Sequence, residues 1–214
     1  MFVDIHSHKL LVSDSWVVYN IPLAQADAVF AAEAKVLFSV GFHPCMLETF
    51  SPERMEKMKE WAADTRFVAI GECGLDKNSE ASPEKQIEVF EKQVLLSEEK
   101  QKPLIIHCVG RFNELFELKR QWNPKQTWII HGFRGKPQLA EQALKAGCSL
   151  SFGEYFNSES VRLTSLEKLF VESDESNMPI AAIYANVAKA RNCSVNELNA
   201  GEKLLEKMKF KQIN

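Results

Sequence analysis

The five histidines of the chain all stand at or just past the ends of short apolar runs. His6 and His8 lie in FVDIHSH, His43 in VLFSVGFHP, His107 in PLIIHCV and His131 in TWIIHGF. Two further apolar runs lead into carboxylates: Glu72 and Asp76 in FVAIGECGLD, and Asp174 in LFVESDES. Imidazole nitrogens and carboxylate oxygens together hold divalent cations without any thiolate. Such cations activate water for hydrolysis. In a parallel α/β barrel the strand C-termini open onto one face, and that face carries the chemistry. Residues at strand ends are therefore where a metal site would need them.

His6 and His8 are two residues apart on a strand, so they share a face and can ligate one ion. Glu72 directly follows a buried run, which a solvated loop acid or helix-cap role would not explain. Its two oxygens can bridge two cations, and Gly71 and Gly74 let the backbone turn tightly beside a ligand. Asp76 reads either as a ligand or as support for a turn or a ligand. His107 and His131 each follow an Ile-Ile pair, in identical settings one βα unit apart. Asp174 is read as a ligand that also accepts a proton from the attacking water. Glu172 and Glu175 rival it by proximity, and Glu172 sits deeper on the same strand. Pro44 keeps His43 extended, where it contacts substrate, stabilises developing charge or holds its loop. The set suits Zn, Mn or Mg. The expected arrangement is two divalent ions about 3.5–4 Å apart, with Glu72 spanning them. His6, His8 and Asp174 lean toward one ion, and His107 and His131 toward the other.

Apolar runs predict strands near 2–6, 16–21, 36–41, 67–71, 103–107, 127–131, 148–152 and 169–172. They are mostly continuous, as parallel strands buried on both faces require. Ser51-Pro52-Glu53 and Ser82-Pro83-Glu84 each read as N-cap, N1 proline and first-turn acid. In the helix after Ser82, Ile87, Phe90 and Val94 would face the core. Lys136-Pro137 opens another helix with Gly147 as its stop. Pro179 begins one running to about Arg191, and Ser194 to Glu197 has capping-box spacing for a last helix ending near Met208. Strands alternating with helices give an α/β fold, a TIM-type (β/α) barrel in one domain over 1–214. At 214 residues it lies near the lower limit of about 200 for such barrels. Only Lys9 to Ser15 separate the first two strands, so the first βα unit is trimmed.

The formal net charge of −3 gives no global basic field, so a polyanion would be held by local cations and metal. Five cysteines with no C-x-x-C pair indicate neither a disulfide framework nor a zinc ribbon, and point to a reducing cytoplasm. The N-terminus lacks the basic start and apolar stretch of a signal peptide. No uninterrupted apolar stretch approaches the roughly 20 residues of a membrane span.

The ordered motifs D-I-H-S-H, G-F-H-P, I-G-E-C-G-L-D, I-I-H, I-I-H-G-F-x-G and E-S-D span nearly the whole chain. In these it resembles the TatD family of metal-dependent deoxyribonucleases, within the amidohydrolase superfamily. The resemblance implies two divalent metals on His6, His8, Glu72, His107, His131 and Asp174, with His43 as an active-site residue. It also implies hydrolysis of DNA phosphodiesters, in some members as a 3′-to-5′ exonuclease. There are departures. The small residue and arginine usual after I-I-H are replaced by Cys108 and Val109, and the nearest arginine is Arg111. Arg134 stands in the family's H-C-F-S-G segment and is placed to replace a lost phosphate contact. Glu175 adds an acid after Asp174 that would repel a phosphate.

The first functional reading is a nuclease on DNA ends or single strands. Its support is Arg111, Arg134, Lys9, Lys77 and Lys136, with Phe42, Phe133 and Tyr155 as stacking aromatics. The alternative is a small-molecule metallohydrolase acting on an amide, lactone or phosphoester, since the same site polarises a carbonyl as readily as a phosphoryl group. A non-catalytic, metal-stabilised scaffold is a third reading. Structural metal sites, however, are usually closed and cysteine-rich.

Overall fold

The computed structural model describes residues 1–9, 15–31 and 36–208. The expected trimming of the first βα unit falls on residues 10–14, outside the described residues. The strands are β1 Val3–Ser7, β2 Trp16–Asn20, β3 Leu37–Val40, β4 Phe67–Asp76, β5 Leu104–Val109, β6 Trp128–Ile130, β7 Ser149–Phe152 and β8 Leu169–Val171. The α-helices are α1 Ala26–Ala31, α2 Pro52–Trp61, α3 Pro83–Lys100, α4 Phe112–Trp122, α5 Pro137–Lys145, α6 Ser158–Leu163, α7 Ile180–Arg191 and α8 Ala200–Lys207. Strand order follows chain order, and every described register is parallel.

The chain divides into two compact units. The first comprises Met1–Tyr19 and Ile129–Asn214. Within it β6 pairs with β7 and β7 with β8. β8 then returns to β1 through a parallel bridge between Ser7 and Asp174. In that bridge Asp174 N–H donates to the His6 carbonyl at 2.9 Å, and His8 N–H to the Asp174 carbonyl at 3.1 Å. Tyr184 of α7 clamps β1 from behind: its hydroxyl donates to the Val3 carbonyl and accepts from the Val3 N–H.

The second unit is Asn20–Trp128, where β4 pairs with β3 and β5. Strand β4 differs from the sequence reading. It runs on through G-E-C-G-L-D instead of ending near 71, so Glu72 and Asp76 are strand residues, both buried. Gly71 and Gly74 serve close approach and not a turn. A Cβ on Gly71 would lie 2.5 Å from the Ile105 carbonyl oxygen, and one on Gly74 2.0 Å from that of His107.

The proline-opened helices form as their caps dictate. Ser51 Oγ accepts from Arg54 N–H and Ser82 Oγ from Lys85 N–H. The buried stripe of α3 differs from expectation. Phe90 and Val94 are buried as read, but Gln86 and Gln93 complete the stripe and Ile87 is only partly covered. The capping box at Ser194 and Glu197 forms on a 3-10 turn, and α8 begins only at Ala200. No described helix is long and apolar enough to cross a membrane.

Candidate metal centres

In the second unit, residues 72, 74 and 76 share one face of β4, as a period of two requires. Glu72 and Asp76 both reach His107 of β5. His107 Nδ1 lies 2.8 Å from Glu72 Oε1, and His107 Nε2 lies 2.8 Å from Asp76 Oδ2. A carboxylate that takes the proton of one ring nitrogen can turn the other toward an ion. Here Asp76 meets Nε2 of His107 and Glu72 meets Nδ1. Asp76 is itself fixed. Its Oδ1 accepts from Asn78 N–H, and its own N–H donates to Gln86 Oε1 at 2.8 Å. Burial alone would raise the Asp76 pKa, but the Asn78 N–H and His107 together hold it below the usual range.

His43 joins the same cluster, with Nε2 3.3 Å from Glu72 Oε1. Its Nδ1 accepts from Cys45 N–H at 3.1 Å. A neutral imidazole so engaged carries its proton on Nε2. His43 thus points a donor at Glu72. The backbone before it is pinned by Gln93, whose Oε1 accepts from Phe42 N–H and whose Nε2 donates to the Phe42 carbonyl. Burial and the Asp76 carboxylate push the Cys45 thiol up to about 11. Cys45 is not among the groups whose donor atoms converge.

In the first unit, His6 and His8 both address one oxygen. His6 Nε2 is 3.8 Å and His8 Nε2 3.6 Å from Asp174 Oδ1. Two donors each about 2.1 Å from one ion at a tetrahedral angle stand about 3.4 Å apart, so this spacing suits a shared cation. His131, Glu172 and Asp174 form an overlapping cluster. His131 Nδ1 is 3.4 Å from Glu172 Oε1, the counterpart of the His107–Asp76 contact. Glu172 is fully buried and also accepts from Gly132 N–H at 2.6 Å. Burial alone would raise its pKa, but His131 and His6 hold it low.

Asp174 itself sits at φ 53°, a left-handed conformation uncommon for a residue with a side chain. A buried network keeps it there. Asp4 Oδ1 accepts from Ser173 N–H at 2.8 Å, Asp4 Oδ2 accepts from Ser173 Oγ at 2.6 Å, and Ser7 Oγ lies 2.9 Å from Ser173 Oγ. Burial pushes the Asp4 carboxyl up to about 7. The sequence reading gave Asp4, Gln86 and Gln93 no role. Their signal was polarity at apolar positions: an acid inside a strand, and two amides seven residues apart on a helix's buried face.

The expected substrate contacts fall differently. Arg111 starts α4, partly buried, with its guanidinium on Glu114 at 3.1 Å. Arg134 is exposed and lies over the Tyr155 ring, 5.5 Å from its centroid. Phe42 and Phe133 are buried, against Phe50 and Phe152 respectively. They are core residues and not stacking platforms, because they turn inward just past their strands. Of the three expected aromatics only Tyr155 meets solvent, at 62% exposed.

Parallel strands alternating with helices, carrying imidazole–carboxylate clusters within and just past the strands, define an α/β protein with candidate metal centres. Comparison narrows it. The chain matches the family model described as TatD related DNase over residues 15–208, and it belongs to that family. It is 32% identical to the metal-dependent hydrolase YabD of Bacillus subtilis, over 61% of this chain and 49% of that protein. It is 33% identical to the 3′-5′ ssDNA/RNA exonuclease TatD of Erwinia billingiae, over 52% and 44%. The chain spans about half the length of these curated relatives. In fold it resembles the TatD homologue YJJV of Escherichia coli K12, with TM-score 0.79, 20% identity and 97% of both chains covered. It also resembles a TatD family hydrolase of Entamoeba histolytica, with TM-score 0.75, 14% identity, and 99% and 98% covered.

Proposed function

We propose that the chain is one metal-dependent hydrolase domain that cleaves phosphodiester bonds in single-stranded DNA. The observation that carries this is the convergence of His6 Nε2 and His8 Nε2 on Asp174 Oδ1, at 3.8 and 3.6 Å. We assign His6, His8, His131 and Asp174 as ligands in the first unit, and Glu72 and His107 in the second. The donor set of imidazole nitrogen and carboxylate oxygen favours Zn or Mn, with Mg accommodated. When bound, divalent cations polarise the phosphoryl oxygen and lower the pKa of water.

The chain's own residues do the rest. Asp174, held by the Ser7 bridge and the Asp4–Ser173 contacts, accepts the proton of the attacking water. Glu172 and Asp76 keep His131 and His107 turned toward their ions. His43, with its proton on Nε2, donates to charge developing on the phosphate oxygens. The exonuclease name of the Erwinia relative supports attack at a 3′ end. Five free cysteines support a reducing, cytoplasmic setting.

The test is cleavage of end-labelled single-stranded oligonucleotides with Mg, Mn or Zn added, beside a His6→Ala control. Metal-dependent laddering from one end, absent in the variant, is expected. Metal-loaded protein that leaves every oligonucleotide intact overturns the reading and favours a small amide, lactone or phosphoester as substrate.

A further inference from the structure

A cavity of about 300 Å³ opens in the first unit directly over Asp174 and Glu172. Its wall carries Arg134, Glu154, Tyr155, Glu175 and Asn177. Two features make it more than a groove. Tyr155 is an exposed ring with the Arg134 guanidinium over its face, 5.5 Å from the centroid, and the neighbouring Glu154 carboxylate raises the pKa of its phenol. Glu154 is tied back in turn by Ser176 Oγ at 2.6 Å. The 175–177 rim is strapped to the first strand's end. Lys9 Nζ donates to the Glu175 carbonyl and to Asn177 Oδ1, each at 2.6 Å.

The charge on the wall selects what enters. Glu154 and Glu175, away from the histidine clusters, face a single arginine, so a second phosphate is disfavoured at that end of the cavity. An uncharged ring is welcome on the Tyr155–Arg134 platform, because aromatic faces and guanidinium planes both stack on bases. The volume is at the small end for a ligand pocket, enough for one ring system.

We propose that this cavity is a subsite for the base of the terminal nucleotide, with Tyr155 and Arg134 as its stacking platform and its acidic wall keeping a second phosphate out. The proposal rests on the nuclease reading above, and its test separates the two. Substrates are oligonucleotides ending in an ordinary nucleotide or in an abasic one. The wild type is expected to cleave the ordinary end about tenfold faster. Tyr155→Ala should erase that preference, while Tyr155→Phe, which keeps the ring, should retain it. Equal cleavage of both ends by the wild type, or a preference unchanged in Tyr155→Ala, overturns the subsite and leaves the nuclease standing. If no oligonucleotide is cleaved, calorimetry on metal-loaded protein decides the subsite alone. Deoxyadenosine 5′-monophosphate should bind about tenfold tighter than deoxyribose 5-phosphate, and the difference should vanish in Tyr155→Ala. Equal affinities in the wild type overturn it.

Discussion

The second unit holds its donors by binding them to one another, whereas the first holds them by binding them to backbone. His107 is gripped by Glu72 and Asp76 at 2.8 Å on each ring nitrogen, and His43 reaches Glu72 at 3.3 Å. In the first unit the corresponding separations are 3.4 to 3.8 Å. There the geometry is set by the Ser7–Asp174 bridge and the Asp4–Ser173 contacts. A cation entering the first cluster finds donors already apart. One entering the second must displace the His107–Glu72 hydrogen bond, and bonds to charged groups contribute about 1.5–3 kcal/mol. The first cluster should therefore bind a divalent ion at least about tenfold tighter than the second.

The largest effects should come from breaking each cluster separately. Asp174→Ala is expected to abolish the tighter of two Mn binding events in calorimetry, and Glu72→Ala the weaker. Each should lower oligonucleotide cleavage by more than about 100-fold, since even residues that only orient ligands contribute 10- to 100-fold. Loss of the tight event in Glu72→Ala would reverse the comparison. Next come the orienting acids. Asp76→Ala should weaken the second event by about 10- to 100-fold. Asp76→Asn, whose carbonyl still accepts from His107 Nε2, should weaken it less. Equal losses in the two variants would mean that Asp76 acts through its charge and not by fixing the ring.

Much of this was legible before folding. Strand ends were marked by apolar runs that stop at His or a carboxylate, and several residues read there, among them His6, His8, Glu72 and His107, have side-chain donors that converge. Helix starts were equally plain, because Ser-Pro-Glu supplies cap, fixed φ and first-turn acid in three letters. What could not be read was where β4 ends, since glycines that permit close strand approach look like turn glycines. Nor could the burial of Phe42 and Phe133 be read, because one step past a strand end the side chain points inward or outward according to packing alone. Gln86 and Gln93 stayed hidden for a related reason. Their partners are backbone N–H groups on β4 and before His43, 10 and 51 residues away, and a helical period carries no record of them.

Gln93 offers a smaller test of how the second unit is braced. Gln93→Ala leaves the buried Phe42 N–H without its acceptor and should cost about 1–3 kcal/mol, read as a lower urea midpoint of the metal-free protein. Both metal-binding events should persist. Loss of the weaker one would make Gln93 part of the cluster's geometry and not only of the unit's stability.

The smallest effect lies outside both clusters, at the turn between α2 and β4. Asp64 accepts from Arg66 through both oxygens, at 2.7 to 3.2 Å, and the Arg66 side chain holds its carboxyl below the usual range. A carboxylate whose folded pKa is lowered adds stability above its unfolded pKa of about 3.9. It loses that stability as pH falls through the lower folded value. The pair is partly solvated, so its contribution is about 1 kcal/mol or less. Asp64→Asn should therefore be slightly less stable than the wild type at pH 7, and the gap should shrink as pH falls below about 3.9 and close below the lowered folded value. It should also narrow in high salt, where exposed pairs are screened. Denaturant titrations at pH 7 and pH 3 measure this directly. A gap that does not shrink in acid would assign the turn's stability to the Arg66 N–H bond to Asp64 Oδ1, which an asparagine oxygen at that position can also accept. Mn binding at pH 7 should be unchanged by the substitution, because no donor of either cluster lies on that turn.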